Sequence, residues 1–368
     1  MRTRSARVLA PALAAVAAAS LLGLSPAHAT AGPVANPVVG HVYETTNSAA
    51  GNAIQVFDRL HDGRLQAGAT VPTGGRGLGS SLASQNGLVR DGNLLFAVNA
   101  GDDTISTLAI TGHGLVRRDV AASGGDQPVS LTVRHGLVYV LNQNSENISG
   151  LRVSHDGHLQ PLPHSTRALS KTTANPTAAA QVSFSPDGQA LVVTHKGDQT
   201  IDTFAVRNGY AGPAVAHHSS GSTPYGFAFD RRGHAIVSEA DASAVSSYAV
   251  HANQLRTISA SVRDNQAAAC WLVVTRDSRF AYTVNAASSS ISSYRITTDG
   301  HLRLVASVAG STSGGGTDAA LSRDNTSLYV RLANGVVASF SVHHDGSLTT
   351  QNDTAGAAIS GPAGLATD

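Results

Sequence analysis

The chain has 368 residues, of which 42% are hydrophobic, 13% are charged and 5% are aromatic. Its single cysteine excludes a disulfide framework, a cysteine-rich zinc module and an iron–sulfur cluster. The apolar content is too high for a disordered chain, and the charged content is too low for a coiled coil. With 37 glycines among many Ser, Thr, Val and Ala residues, the composition predicts short strands joined by tight turns.

The N-terminal segment has the pattern of a secretory signal peptide. An arginine-rich start precedes an apolar run over 8–24, and a small-residue cleavage box ends at Ala29. We predict a signal peptide at 1–29, a short leader at 30–37 and a single secreted, extracytoplasmic domain at 38–368. An uncleaved membrane anchor is the alternative, and the shortness of the apolar run favours cleavage.

The charge distribution narrows the range of partners. Twenty-five basic residues face 24 acidic ones, and the basic residues include no patch of the kind that binds nucleic acid. No second apolar run is long enough to span a membrane. We therefore expect no nucleic-acid partner and no membrane span after signal cleavage. A monomer that binds a small-molecule ligand or substrate is expected, with a protein or glycan partner as the alternative.

A three-strand pattern recurs along the whole chain. The clearest copies are at 94–108, 137–151 and 280–294. In each copy one strand ends in Asn, and the next strand has Ile and Ser as its second and third residues. We use one aliphatic residue of that next strand as a register mark in each repeat, and successive marks are about 43 to 53 residues apart. The seven marks are Ile54, Ile105, Ile148, Ile201, Val245, Ile291 and Val337. Seven all-β repeats at this spacing predict a seven-bladed β-propeller.

The first repeat lacks an innermost strand. It begins at about Val38 with a strand of the second kind, whereas the C-terminal stretch 361–366 has the pattern of the innermost strand at 224–229. We predict that the C-terminal strand closes the N-terminal blade, because a blade shared by both ends of the chain removes two open sheet edges.

Candidate catalytic residues come from the turn after the second strand. In a propeller this turn and the start of the innermost strand lie on one face, around the axis. Six positions before the register marks stand two titratable residues of adjacent blades, His195 and Glu239. We predict Glu239 as a general base and His195 as its acid or orienting partner, within about 10 Å of each other. The same position holds Ser48, Asn99, Asn142, Asn285 and Arg331 in the other repeats.

Further side chains are candidates for binding substrate at this face. Arg76, Arg263 and Arg331 could each hold an anionic group. Trp271 starts an innermost strand, and its ring could be either core or a stacking wall for a ligand. Its neighbour Cys270 is interpreted as a packed small hydrophobe rather than a reactive thiol.

Motifs for other chemistries are missing from the sequence. It contains no G-x-S-x-G, no H-E-x-x-H, no EF-hand loop and no P-loop. The histidine pairs 217–218 and 343–344 would point to opposite faces of a strand, so neither pair is suited to chelation. We therefore predict neither a metal nor a cofactor.

The fourth and fifth repeats resemble the seven-bladed lactonase family. The resemblance rests on Ser-Pro-Asp-Gly at 185–188, the strand at 191–194, the Gly-Asp turn at 197–198 and the strand at 235–239. It extends over about 38–368 and is strongest toward secreted members from high-GC bacteria. The family includes bacterial 6-phosphogluconolactonases and fungal carboxymuconate cyclases, so the resemblance implies a propeller fold and lactone chemistry.

The family's functional residues are matched only in part. Members similar to the enzymes place His before the Ser-Pro-Asp-Gly strand, and 177–181 contains none. They place Arg-His before the next blade's first strand, where Tyr225 stands here as a candidate ligand contact. The acid at Glu239 carries over. Two functions remain open: a lactonase-like hydrolase or cycloisomerase acting on a lactone or related small anion, and a catalytically degenerate propeller that binds a small molecule, glycan or protein.

Overall fold

The structure is a computed structural model that describes residues 36–356 and 364–368. The predicted signal peptide and most of the predicted leader lie outside these residues. The described part of the chain forms thirty strands and no helix. It accordingly contains no helix with the length and apolar character needed to cross a membrane.

The strands form seven antiparallel sheets, and each sheet is one blade of the propeller. The first three blades contain four, four and five strands, numbered here in chain order. Blade 1 contains β1 (Val38–Thr45), β2 (Ala53–Leu60), β3 (Leu65–Pro72) and β30 (Leu365–Thr367); blade 2 contains β4 (Leu88–Asp91), β5 (Leu94–Asn99), β6 (Thr104–Thr111) and β7 (Gly114–Ala122); blade 3 contains β8 (Pro128–Arg134), β9 (Leu137–Asn142), β10 (Asn147–Val153), β11 (Leu159–Pro161) and β12 (Arg167–Ala168).

The remaining four blades repeat this arrangement. Blade 4 contains β13 (Ala179–Phe184), β14 (Ala190–His195), β15 (Thr200–Arg207), β16 (Tyr210–Ala211) and β17 (Val215–His218); blade 5 contains β18 (Pro224–Phe229), β19 (His234–Glu239), β20 (Ala244–His251) and β21 (Gln254–Arg263); blade 6 contains β22 (Ala269–Val274), β23 (Phe280–Asn285), β24 (Ser290–Ile296) and β25 (Leu302–Ser311); blade 7 contains β26 (Gly316–Leu321), β27 (Ser327–Leu332), β28 (Val336–Val342) and β29 (Leu348–Ala355).

The innermost strands close into a ring around the axis. In ring order they are β30, β4, β8, β13, β18, β22 and β26, and each contacts the next, with β26 returning to β30. The predicted seven-bladed propeller is therefore confirmed, and with it the closure of blade 1 by the C-terminal strand. That strand spans Leu365–Thr367, and the first part of the predicted stretch, 361–363, lies outside the described residues.

The core lies between neighbouring blades because alternate residues of a strand face opposite sides of its sheet. In β14, Leu191 and Val193 pack with blade 3, whereas Val192 packs with blade 5. In β19, Val237 packs with blade 4 and Ile236 packs with blade 6. This alternation also decides which space between blades receives the polar residue at the end of each second strand.

The linker segment 80–87, here called the plug, occupies one end of the axis. The Gln85 side chain donates to the Leu272 carbonyl (2.7 Å) and accepts from the Leu272 amide (3.0 Å) in blade 6. The Gln85 amide donates to Ala180 in blade 4, and the Ser84 hydroxyl donates to Val129 in blade 3. The plug therefore covers the axis at the face where innermost strands begin, called the upper face below.

Candidate functional site

His195 ends β14 and faces blade 3, where its side chain is fully buried. Its Nδ1 lies 3.3 Å from the Asp198 carboxylate, and its Nε2 lies 3.3 Å from the Asp202 carboxylate. Burial alone would lower the pKa of His195, but the two carboxylates outweigh burial and raise the pKa from 6.5 to about 9. The raised pKa favours the imidazolium form at neutral pH, with each ring nitrogen facing a carboxylate.

The two carboxylates beside His195 hold the linker that enters blade 4. Asp202 accepts hydrogen bonds from the amide (2.8 Å) and hydroxyl (2.5 Å) of Ser170. Asp198 accepts one from the Thr172 hydroxyl (3.0 Å), and the His195 ring together with Thr172 lowers the pKa of Asp198. In the structure His195 thus compensates the charge of a buried anchor for this linker.

Glu239 ends β19 and faces blade 4, and it is also fully buried. Its Oε1 accepts hydrogen bonds from the hydroxyls of Ser219 (3.2 Å) and Tyr248 (3.4 Å). Ser219 belongs to the linker between blades 4 and 5, and Gly221 of the same linker lies so close to the carboxylate that a Cβ there would overlap it. Glu239 therefore anchors the linker entering blade 5, as the His195 group does for blade 4.

The structure does not bring His195 and Glu239 together. They hold equivalent positions in adjacent blades, since His195 pairs with Thr200 and Glu239 pairs with Ala244. Because His195 faces blade 3 and Glu239 faces blade 4, the sheet of blade 4 stands between them. Both side chains are fully buried, and they lie in two different spaces between blades.

Asparagines in three other blades occupy this position and have a similar setting. Asn99 accepts a hydrogen bond from the hydroxyl of the linker residue Thr73 (2.9 Å). Asn142 and Asn285 each donate to a serine hydroxyl on the neighbouring third strand, at 3.0 Å and 2.8 Å respectively. In these blades the residue six positions before the register mark is thus a buried polar side chain that forms hydrogen bonds with a linker or with the neighbouring strand.

In blades 1 and 7 the residue six positions before the register mark is not equivalent to His195, because the turns there differ in length. In blade 1, Thr45 pairs with the register mark Ile54, so Thr46 rather than Ser48 is equivalent to His195. In blade 7, Arg331 itself pairs with the mark Val337, one position earlier than the equivalent residue. A shift of one residue places the side chain on the opposite face of the sheet.

Arg331 consequently faces blade 1 rather than blade 6. Its guanidinium forms an ion pair with Glu44 of β1, and both side chains are almost fully buried. Its Nη1 also donates to the carbonyls of Leu332 (2.7 Å) and Val336 (3.3 Å). The predicted anion-binding arginine thus lies buried at the seam where the ring closes.

Arg76 and Arg263 lie in a linker and in an outermost strand. Arg263 is the exposed last residue of β21, the outermost strand of blade 5. Arg76 is exposed in the linker between blades 1 and 2, where its amide donates to Asp102 (2.9 Å) and its carbonyl accepts from Gly101 (3.0 Å). The structure therefore places both arginines outside the innermost strands that surround the axis.

Tyr225 and Trp271 do come together, beneath the plug. Their rings form an edge contact with centroids 5.2 Å apart, and both are buried. The Trp271 indole donates to the Ser84 carbonyl (2.9 Å). Lys196, the residue after His195, places its Nζ 4.9 Å from the centre of the Tyr225 ring and donates to the Ala83 carbonyl.

We call Lys196, Tyr225, Cys270 and Trp271 the axial cluster. Burial lowers the pKa of Lys196 from 10.5 to about 8, and Cys270 opposes this shift. Burial raises the pKa of the Cys270 thiol to about 12, so it stays protonated, which agrees with a packed small residue. Lys196 was missed by sequence reasoning, although it is one of only two lysines and follows the residue that was chosen.

No metal centre emerges within residues 36–356 and 364–368. No group of three or more His, Cys, Asp or Glu side chains in these ranges is placed to hold an ion. At the upper face, the axial cluster places the Lys196 amine, whose pKa is lowered by burial, beside the Tyr225 ring.

These features define a seven-bladed β-propeller. The family model "Lactonase, 7-bladed beta-propeller" matches residues 49–174, 159–264 and 239–366. The chain belongs to this lactonase family.

Individual relatives are distant. A 6-phosphogluconolactonase of Yersinia pseudotuberculosis is 23% identical over 135 residues, which is 36% of this chain and 40% of the relative. Two solved structures share the fold at 18% identity and 89% coverage of this chain. One is a candidate 6-phosphogluconolactonase from Bacteroides uniformis, with 99% of its chain covered and a TM-score of 0.71. The other is the periplasmic gluconolactonase of Pseudomonas aeruginosa, with 98% covered and a TM-score of 0.66.

Proposed function

We propose that this protein is a secreted lactonase-family propeller that binds a small lactone or sugar-acid anion at the axial cluster. In this proposal Glu239 and His195 have no direct part in chemistry. The supporting observation is their geometry: both are fully buried, face different spaces between blades and hold linkers in place. In this proposal the protein binds its ligand but does not use Glu239 and His195 as an acid–base pair.

Lys196 is the group that would contact the ligand. Its side chain is partly exposed, and an ammonium has three N–H donors, of which one is directed at the Ala83 carbonyl. The remaining donors can reach a carboxylate or a lactone carbonyl. Tyr225 and Trp271 lie buried beside it and would support an apolar wall of the site.

Lactone hydrolysis with Lys196 as the base is the second candidate function. The lowered pKa of about 8 favours it, because about half of the amine is neutral at pH 8. The neutral amine would take a proton from a water molecule as that water adds to the lactone carbonyl. Ring opening would then break the acyl–oxygen bond, and the ammonium would return the proton to the leaving alkoxide.

The test compares turnover and binding in matched variants of the secreted protein. Hydrolysis of a panel of aldonolactones is followed by pH-stat, and binding of gluconate is followed by calorimetry. Lys196→Met should abolish binding and any turnover. Lys171→Met is the control, because the only other lysine is paired with Glu146 in a linker.

Glu239→Gln separates the proposal from conventional catalysis. We expect a lowered melting temperature with unchanged gluconate affinity, because the carboxylate accepts two buried hydroxyl hydrogen bonds. Lost turnover at an unchanged melting temperature would make Glu239 a catalytic base and refute the proposal. Absence of gluconate and lactone binding in the wild-type protein would refute it as well.

A further inference from the structure

The other end of the axis is open and lined by arginines. Below the plug, the innermost strands surround a cavity of about 410 Å³, here called the axial cavity. Its lower mouth is bordered by Arg90, Arg276 and Arg323, which come from blades 2, 6 and 7. We propose that this mouth is a second binding site, for the dianionic head of a small organic molecule whose remainder enters the axial cavity.

The three arginines converge because of where they lie in the fold. Arg276 and Arg323 occupy the same place in their blades, two residues after the ends of the innermost strands β22 and β26. Arg90 lies in β4, the innermost strand of blade 2. Blade 1 stands between blades 7 and 2, and its innermost strand β30 ends at the mouth with Thr367. Three positive charges from different blades thus meet around one opening.

Most of the acidic side chains at the mouth already have partners. Asp324 lies 3.2 Å from Arg59, and hydrogen bonds from Ser322 and Thr326 together with this charge lower the pKa of Asp324. Asp368 lies 3.1 Å from His41. A third carboxylate, Asp91, is exposed at the rim.

The guanidinium groups themselves are left without carboxylates. Among the ion pairs formed by the described residues, none involves Arg90, Arg276 or Arg323. The Nε of Arg90 is buried without a hydrogen-bond partner. A buried N–H that lacks an acceptor is costly, so an anion placed here would gain both charge and hydrogen bonding.

The shape of the site indicates the class of ligand. Arginine forks match the paired oxygens of phosphate and carboxylate groups, and several forks together favour a dianion over a monoanion. Above the mouth, Val274, Phe229 and Leu321 give the cavity apolar walls, and Ser183 adds a hydroxyl group. The site fits a phosphate monoester or a dicarboxylate with a short carbon chain.

The experiment uses the full secreted chain with inorganic phosphate and malonate as probes, by calorimetry at low ionic strength. The double variant Arg276→Gln/Arg323→Gln should weaken binding of at least one probe by about tenfold or more, since charged bidentate contacts are lost. Both residues are exposed, so the melting temperature should not change. Arg231→Gln is the matched control, because Arg231 holds the corresponding turn position in blade 5 and does not line the mouth.

The outcomes separate this site from the axial cluster. Lys196→Met should leave phosphate and malonate binding unchanged, whatever it does to gluconate. Equal affinity in the double variant and the wild-type protein would place the anion elsewhere and overturn the inference. Failure of the wild-type protein to bind either probe would overturn it too, as would an equal loss in Arg231→Gln.

Discussion

Replacing His195 should change how the stability of the propeller depends on pH. In the folded protein, Asp198 and Asp202 outweigh burial and raise the pKa of His195 from 6.5 to about 9. At 1.36 kcal/mol for each pH unit, this rise corresponds to about 3 kcal/mol of folding free energy. Because the folded-state pKa is the higher one, the contribution is complete below pH 6.5 and is lost as the pH rises through about 9.

The measurement is the free energy of unfolding of the wild-type protein and of His195→Gln between pH 5.5 and 10, by urea denaturation. The advantage of the wild-type protein should be largest below pH 6.5 and should shrink by about 3 kcal/mol by pH 10. NMR titration of the His195 ring should give the same raised pKa. His155→Gln serves as the control, since His155 is exposed and forms no ion pair within the described part of the chain.

A stability difference that stays constant with pH would refute this reasoning. It would mean that the ring is neutral between its two carboxylates and that the linker anchor depends on hydrogen bonds alone. A difference that grows with pH would have the wrong sign and would refute it more directly.

Two further predictions concern the seam where the ring closes. Glu44→Gln or Arg331→Met alone should destabilise the protein by about 3–5 kcal/mol, because each leaves one buried charge uncompensated. The double variant should lose clearly less stability than the two single losses added together. Urea denaturation of the four proteins measures this coupling, and additive losses would contradict the prediction. Leu365→Ala should cost about 2–4 kcal/mol, since Leu365 is buried in the closing strand. Thermal and urea unfolding would check this, and an unchanged midpoint would show that β30 contributes little to closure.

The repeats of this chain determine its architecture. Each blade has its own alternation of apolar residues, and seven register marks follow one another at about 43 to 53 residues. The number of blades can therefore be predicted from the sequence of each repeat. The closing strand is also legible, because 361–366 has the pattern of an innermost strand that the first repeat lacks. Local hydrophobic patterns are sufficient for both conclusions, since each blade packs against its neighbours in the same way.

The candidate site depends on details that are not repeated. Counting six residues back from a register mark assumes that every turn has one length, but the turns of blades 1 and 7 differ from the others. A single residue reverses the face of a strand, which is why Arg331 meets Glu44 at the ring seam instead of joining a site at the upper face.

The same alternation separates His195 from Lys196. The sequence shows a polar pair at the end of β14, and a titratable histidine is the natural choice for chemistry. Only the packed ring shows that the last strand residue enters the space between blades, where linkers need polar anchors, and that the next residue turns toward the axis. The plug, with Gln85 bound to blade 6 at a separation of 187 residues, is likewise decided by tertiary contacts alone. The sequence by itself thus determines the propeller, because its repeats are local, whereas the direction of each polar side chain depends on turn lengths and neighbouring blades that only the folded ring brings together.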